Sequence, residues 1–219
     1  MIDSNKKYSV GFLFDENNDW LEEYFIEEDL PLQSKYEYTI SKDQNLIRGM
    51  DIVFILGYTK LLDEKFLILN NLNLVVHESA LPKGKGFSPV QWQILEENNH
   101  IPICLFEAEA EVDSGDIILK DTFHLEGYEL YDEIRKIQAE ATRKIIFKFL
   151  KIFPNYNRTK QKGRESFFRK RNPSDSKLDL DRTIKDQINL LRIANNNGWP
   201  AFFYFKDKKY IIKIEREED

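Results

Sequence analysis

Short apolar segments alternate with segments of helical periodicity along most of the chain. The apolar runs predict strands at 8–14, 36–41, 51–56, 73–77, 101–106 and 116–122. Between them, helical spacing predicts helices at 19–28, 63–70, 89–97 and 132–153. The run at 51–56 is apolar throughout after its aspartate, which is typical of a strand buried on both faces of a parallel sheet. The pattern predicts an α/β fold with a mainly parallel sheet.

The pattern changes after Pro154, which ends the longest predicted helix. Residues 155–162 are polar and basic and are typical of a linker, whereas 183–194 predict a helix and 201–205 with 209–214 predict a hairpin. We therefore divide the chain into a main domain at 1–154 and a small C-terminal segment at 155–219. The hairpin carries more apolar surface than so small a segment is expected to bury, which predicts either a homodimer contact or packing on the main domain. Its aromatic residues are Phe202, Phe203, Tyr204 and Phe205.

Composition narrows the class of protein. With 219 residues, 42% hydrophobic and 13% aromatic, the chain can bury a substantial core. The net charge of −6 argues against a broad nucleic-acid-binding surface. No apolar run reaches the roughly 18–20 residues that a membrane span needs, and the first residues lack the apolar stretch of a signal peptide. We therefore expect a cytoplasmic protein with neither a membrane nor a nucleic-acid partner.

Several kinds of reactive site are not supported by the sequence. The one cysteine, Cys104, lies in an apolar run, so an inert core thiol is expected there. With three histidines and no pair of cysteines, no metal-ligand spacing occurs, and we predict no metal site. The first strand–helix turn has no Gly-x-Gly-x-x-Gly, which leaves a dinucleotide site there without support.

The strongest candidate for chemistry is His77, at the end of a predicted buried strand. A loop rich in Pro, Gly and Lys follows it, and a helix then begins at Pro89. A histidine in that position can be held rigidly and still reach a ligand. Its ordinary pKa near 6.5 suits a general base. The plain alternative is a core histidine at a strand end.

Two motifs around this histidine resemble those of the 10-formyltetrahydrofolate-dependent formyltransferases. Residues 77–86, HESALPKGKG, resemble the family motif His-x-Ser-Leu-Leu-Pro-x-x-Arg-Gly, and 112–117, VDSGDI, are similar to the signature Asp-x-Gly-x-Ile. Further on, 168–176 and 198–202 are similar to the sugar-nucleotide N-formyltransferases, most of all to those of the pseudaminic-acid type.

The resemblance implies a Rossmann-like formyltransferase domain at 1–154. It implies 10-formyltetrahydrofolate as the formyl-donor co-substrate, held by Leu56, Gly57, Tyr58, Leu62, Ala108, Glu109, Ala110 and Asp113. It also implies that His77 is the catalytic base, with Asp113 as its orienting partner. The family carries an Asn two residues before the His, and this chain has Val75 there. Because valine donates no hydrogen bond to an oxyanion, Gln91 and Gln93 are candidates for that role.

The implied acceptor is the primary amine of an amino-deoxy sugar carried by a nucleotide, with a UDP-linked sugar favoured. Such a substrate serves surface polysaccharide or glycoprotein glycans, as in pseudaminic acid biosynthesis. Its diphosphate needs cations and close-approaching backbone, and the candidates are Lys83, Lys85, Gly86, Arg169, Arg171 and Arg192. For each cation, an ordinary solvated surface charge is the alternative.

Other functions stay open at this point. Methionyl-tRNA formyltransferase is the main alternative, against which stand the pI of about 5.3 and the lack of a long basic C-terminal domain. Formyltetrahydrofolate hydrolase is another. Because Val75 replaces the Asn, a catalytically weak module that binds folate or nucleotide is a fourth possibility. Asp113 before Ser-Gly also has a plain reading as a turn residue.

Overall fold

The computed structural model describes residues 7–16, 18, 20–25, 29–59, 62 and 64–217. Its strands are β1 (Tyr8–Phe14), β2 (Tyr36–Ser41), β3 (Ile52–Leu56), β4 (Asn73–His77), β5 (Lys85–Gly86), β6 (His100–Glu107), β7 (Ile117–His124), β8 (Phe167–Phe168), β9 (Ala201–Phe205) and β10 (Lys208–Ile212). Its α-helices are α1 (Glu64–Ile68), α2 (Pro89–Leu95), α3 (Tyr131–Ile152) and α4 (Ile188–Arg192). No helix in these ranges is both long enough and apolar enough to cross a bilayer.

Six strands form the central sheet, in the order β2-β1-β3-β4-β6-β7. The first four are parallel neighbours, and β6 and β7 then join antiparallel. All five residues of β3 are buried, as its apolar run predicts. The predicted α/β fold with a mainly parallel sheet is confirmed.

The two faces of the sheet are covered differently. On one face, α3 packs its apolar stripe, including Ile145 and Phe149, against the largest core cluster, to which Leu74 and Val76 of β4 belong. Because side chains alternate along a strand, Val75 and His77 point to the opposite face. Smaller apolar clusters lie on that face. The short helix α1 covers part of that face through Phe66, and the loop after β4 covers His77 at the strand end.

Two predicted helices are shorter than expected. Of the segment 19–28, the described residues form a 3-10 helix at Glu22–Tyr24, and residues 19 and 26–28 lie outside the described part of the chain. The segment 183–194 is a 3-10 helix, Lys185–Gln187, followed by the single turn and a half of α4. After it, β9 and β10 form the predicted hairpin through Lys206 and Asp207, both of which have positive φ.

Candidate active site

His77 is the last residue of β4, and its ring is held by the loop that follows. The ring atom Nε2 lies 2.8 Å from the carbonyl oxygen of Gly84. A carbonyl oxygen can only accept, so Nε2 carries the proton and Nδ1 carries the lone pair in the neutral ring. The His77 side chain is only 8% exposed. The loop therefore fixes both the orientation of the imidazole and its tautomer.

Asp113 approaches the same ring nitrogen from the loop between β6 and β7. Its Oδ2 lies 3.8 Å from Nε2 of His77 and accepts a hydrogen bond of 2.8 Å from the backbone N–H of Gly86. At 3.8 Å the carboxylate is beyond hydrogen-bond reach of the ring, so it acts on His77 through its charge. The hydrogen bond that orients the ring runs from Nε2–H of His77 to the carbonyl oxygen of Gly84. The sequence does not single out Gly84 for this role.

Glycine at position 86 is a packing requirement. Its φ is +96°, and a Cβ there would lie 2.5 Å from the carbonyl oxygen of Phe168. The pair β5–β8 brings these backbones together. Gly86 contacts Asp113 through its N–H, so its position affects the site through that hydrogen bond.

Part of the predicted folate site forms one apolar cluster beside β4. Tyr58 and Leu62 come from the connection between β3 and α1, and Ala108 follows β6. All three pack, together with Val75, on a buried group of side chains that includes Ile55. Leu56 points into the core on the α3 face instead, so only its backbone is available to a ligand. Gly57 has positive φ and accepts a hydrogen bond from Asn18, and Glu109 and Ala110 are exposed.

Val75 lies on the same face of β4 as His77 and pairs in register with Ile55 and Phe106 on the adjacent strands. Neither neighbour offers a side-chain hydrogen-bond donor. Of the two glutamine candidates for the missing amide, Gln93 donates to the carbonyl oxygens of Glu78 and Pro89, and Gln91 is buried in α2. The donor amide of Gln93 is thus already engaged.

Three of the predicted phosphate-binding cations are engaged in ion pairs. Lys85 is buried and pairs with Glu165 at 2.6 Å, and Arg192 is buried and pairs with Glu129 at 3.3 Å. Arg169 is exposed and binds Asp175 through both of its terminal nitrogens, at 2.7 and 2.5 Å. Each of these three charges is already neutralised by a carboxylate of the chain, so none of them is free for a phosphate.

The other two cations are in different surroundings. Lys83 is exposed, and in the described part of the chain it forms no ion pair. Arg171 is 8% exposed, its Nε has no hydrogen-bond partner there, and a terminal nitrogen donates a long hydrogen bond of 3.5 Å to the backbone oxygen of Asp175. Burial lowers the pKa of Arg171, the charge of Asp175 opposes that shift, and nearby Arg169 and Arg135 act in the direction of burial. The exposed Lys83 is available to an anionic ligand, whereas Arg171 is buried and has an unsatisfied Nε.

Within the described ranges, no group of three or more His, Cys, Asp or Glu side chains has an arrangement that could hold a metal ion. Cys104 is buried beside the site, donates through Sγ to the backbone oxygen of Ser79, and has its pKa raised by burial. A protonated, inaccessible thiol is not a nucleophile.

Two known proteins are similar in sequence to most of this chain. The polymyxin resistance protein ArnA of Wigglesworthia glossinidia brevipalpis, a bifunctional protein, is 30% identical over 172 residues, which cover 74% of this chain and 25% of ArnA. The methionyl-tRNA formyltransferase of Rickettsia prowazekii is 27% identical over 198 residues, covering 88% of this chain and 64% of the relative. The chain thus spans a quarter of the first and under two thirds of the second.

Solved structures share the fold at low sequence identity. Methionyl-tRNA formyltransferase from Clostridium thermocellum superposes with a TM-score of 0.77 at 22% identity, covering 96% of this chain and 94% of that one. Rv3404c of Mycobacterium tuberculosis, described as a likely sugar N-formyltransferase, gives 0.74 at 14% identity, covering 97% and 100%. The sequence model of the Formyl transferase family matches residues 2–150, which include His77 and Asp113. The chain belongs to the formyl transferase family.

Proposed function

We propose that this protein is a sugar-nucleotide N-formyltransferase. It moves the formyl group of 10-formyltetrahydrofolate to the primary amine of an amino-deoxy sugar linked to a nucleotide, with a UDP-linked sugar of the pseudaminic-acid type favoured. The observation that carries the proposal is the environment of His77. Its Nε2–H is anchored on Gly84, the Asp113 carboxylate lies 3.8 Å from the same nitrogen, and the opposite nitrogen is left with its lone pair.

His77 acts as the base in this mechanism. The folate supplies an activated formyl carbon, which the neutral amine attacks. Nδ1 of His77 takes the proton that leaves the attacking nitrogen. The imidazolium that forms is stabilised by the carboxylate of Asp113, held in place by the N–H of Gly86. The new Nδ1–H then provides a donor for the oxyanion, the role that Val75 cannot fill. As the carbonyl re-forms, the bond between the formyl carbon and the folate nitrogen breaks. The imidazolium of His77 returns its proton to that nitrogen, which releases tetrahydrofolate and restores the neutral ring.

The folate would bind in the apolar cluster of Tyr58, Leu62, Val75 and Ala108. A flat aromatic ring system suits an apolar surface of this kind, and the backbone of the 108–113 loop offers polar groups at its edge. HypX of Aquifex aeolicus, solved in complex with tetrahydrofolic acid, shares the fold with a TM-score of 0.71 at 14% identity. That likeness supports the donor assignment through the fold alone.

Charge and resemblance favour a sugar nucleotide as acceptor. The net charge of −6 opposes binding to the polyanionic backbone of tRNA. Lys83 and Arg171 are the two predicted cations without an ion-pair partner in the described ranges, so they are the proposed contacts to the acceptor's phosphates. Methionyl-tRNA is the second candidate acceptor, because the relatives in Rickettsia carry that name.

We also propose a homodimer through the C-terminal hairpin. Tyr204, Phe205, Tyr210 and Ile211 are 48%, 52%, 47% and 58% exposed, and they come from both strands of the hairpin. In the register of the hairpin, Tyr204 and Ile211 share one face and Phe205 and Tyr210 share the other. Each face thus offers a pair of exposed apolar side chains for a contact between subunits. Analytical ultracentrifugation of the protein against Phe205→Ser/Ile211→Ser tests it. A monomer in both would refute the homodimer.

The experiment for the activity offers the protein 10-formyltetrahydrofolate together with either a panel of amino-sugar nucleotides or methionyl-tRNA. Mass spectrometry then detects the gain of one formyl group. Formylation of an amino-sugar nucleotide is the expected result. Formylation of methionyl-tRNA alone would favour the second candidate, and nucleotide binding without any transfer would favour a binding module.

A further inference from the structure

The segment 155–168, here called the strap, follows α3 and crosses the candidate site. Near its start, Arg158 pairs with Glu107 at 2.6 Å, and Thr159 exchanges two backbone hydrogen bonds of 2.9 Å with Ile117. Glu107 and Ile117 flank the loop that carries Asp113. The polar segment that resembles a linker in sequence is thus fastened to both ends of that loop.

Gln161 then contacts the loop itself. Its side-chain Nε2 donates to the carbonyl oxygen of Asp113 at 2.8 Å and to that of Gly115 at 2.9 Å. Asp113 has a φ of +51°, a left-handed conformation that is unfavourable for a residue with a Cβ. Such a conformation persists only when surrounding contacts hold it. The amide of Gln161 supplies that hold at the residue whose carboxylate faces His77.

The far end of the strap contacts the other partner of His77. Ser166 accepts a hydrogen bond of 2.9 Å at Oγ from the N–H of Gly84, the residue whose carbonyl anchors the His77 ring. The backbone of Ser166 also bonds to Pro82 and Lys85 on either side of Gly84. One continuous segment therefore holds both groups that set the state of His77.

We infer that Gln161 and Ser166 are positioning residues for the His77–Asp113 pair. Efficient transfer then depends on a segment that lies beyond residues 2–150, the part matched by the family. This inference rests on the proposed function for its kinetic consequence. The geometric part, that Gln161 holds the Asp113 carboxylate in place, stands on the hydrogen bonds alone.

Substitutions of Gln161 and Ser166 can distinguish an effect on the positions of His77 and Asp113 from a general loss of stability. Gln161→Glu keeps the size of the side chain, removes the donor and places a carboxylate against two carbonyl oxygens. Ser166→Ala removes the acceptor for Gly84, and Ser166→Thr restores it. Gln187→Ala is the matched control. The side-chain amide of Gln187 also forms hydrogen bonds with the backbone, at Asp179, but it does so in the C-terminal segment.

The first measurement needs no activity. The amide proton of Gly86 donates to the Asp113 carboxylate, so its exchange with deuterium, followed by NMR, reports the position of that carboxylate. Gln161→Glu should speed this exchange at least about tenfold, and Gln187→Ala should leave it within about twofold. An unchanged Gly86 exchange rate in Gln161→Glu would overturn the inference, even if the wild type transferred no formyl group.

The second measurement is steady-state formyl transfer. Gln161→Glu and Ser166→Ala should lower kcat at least about tenfold with KM for the folate within about threefold, because small misplacements of a catalytic group are costly. Ser166→Thr should recover most of the rate, and Gln187→Ala should keep it. Wild-type kcat in both Gln161→Glu and Ser166→Ala would refute the kinetic role, while an inactive wild type would count against the proposed function alone.

Discussion

Gly84 accepts a 2.8 Å hydrogen bond from Nε2 of His77, and this contact decides which ring nitrogen can act as the base. The family comparison by itself directs attention to Asp113 as the orienting group. The distances assign orientation to a backbone carbonyl and charge stabilisation to the carboxylate at 3.8 Å. The two roles can be separated by substitution, because removing the charge of Asp113 leaves the Gly84 contact in place.

Asp113→Asn should therefore keep the fold and lose most of the rate. An asparagine carbonyl still accepts from Gly86, but it offers no charge to the imidazolium. We expect kcat to fall at least about 100-fold with little change in melting temperature. Glu111→Gln is the control, since it removes a charge from the same loop at an exposed residue outside the predicted folate contacts. An equal loss in both variants would mean that the net charge of the loop, and not Asp113, is responsible.

Val75→Asn tests whether the site lacks an oxyanion donor. Val75 pairs with Ile55 and Phe106, so the substitution places an amide among apolar side chains. Since the mechanism gives the donor role to His77, we expect no increase in kcat and a lower melting temperature. Val75→Thr is the control for polarity in a side chain of similar shape. A kcat raised about tenfold or more by Val75→Asn would show that the donor was missing.

Replacing Glu165 and replacing Lys85 should lower the free energy of unfolding by different amounts, although the two residues form one ion pair. The Lys85 side chain is 1% exposed and that of Glu165 is 48% exposed. Glu165→Gln leaves a buried ammonium without its counter-charge and should cost about 1–3 kcal/mol of unfolding free energy, allowing for the half-exposed partner. Lys85→Met removes the charge altogether and should cost about 1 kcal/mol or less.

Urea unfolding measures both free energies, and kinetics with the acceptor complete the test. If Lys85→Met instead raised KM for the acceptor strongly without affecting stability, Lys85 would contact the substrate phosphate. The burial of Lys85 would then have to be relieved when the acceptor binds.

The stability of the fold at low pH should depend on the ion pair between Arg169 and Asp175. The hydrogen bond from Arg169 lowers the pKa of Asp175 to about 2 from its ordinary 3.8. Because the folded-state pKa is the lower one, the pair stabilises the fold above the ordinary value, and the benefit is lost as pH falls through about 2. Thermal melts should show the difference between wild type and Asp175→Asn shrinking between about pH 4 and pH 2. A difference that is constant with pH would contradict the pairing.

The sequence predicts the mainly parallel sheet and the closeness of His77 and Asp113 for identifiable reasons. Continuous apolar runs such as β3 have one stable solution, a strand buried on both faces, and the two motifs lie at the loops where His77 and Asp113 meet. The role of the strap is not visible in sequence. It has no periodicity, and Gln161 contacts Asp113 across 48 positions of the chain.

The cations illustrate a second limit. Lys85, from a Gly-rich loop, and Arg192, from a helix, are of the residue types that bind phosphate, yet both are buried in ion pairs with partners distant in sequence. The Arg192 partner, Glu129, is 63 positions away. A motif gives the type of residue, whereas the fold decides whether its charge is free.

Single-turnover formyl transfer by His77→Ala tests most directly whether His77 is the base. The variant is incubated with 10-formyltetrahydrofolate and the acceptor that the wild type formylates, and the formylated product is followed by mass spectrometry. His100→Ala, at an exposed histidine, is the control. His77→Ala should still bind the folate and lose at least about 1,000-fold in rate, while His100→Ala should keep the wild-type rate. A wild-type rate in His77→Ala would show that His77 is not the base.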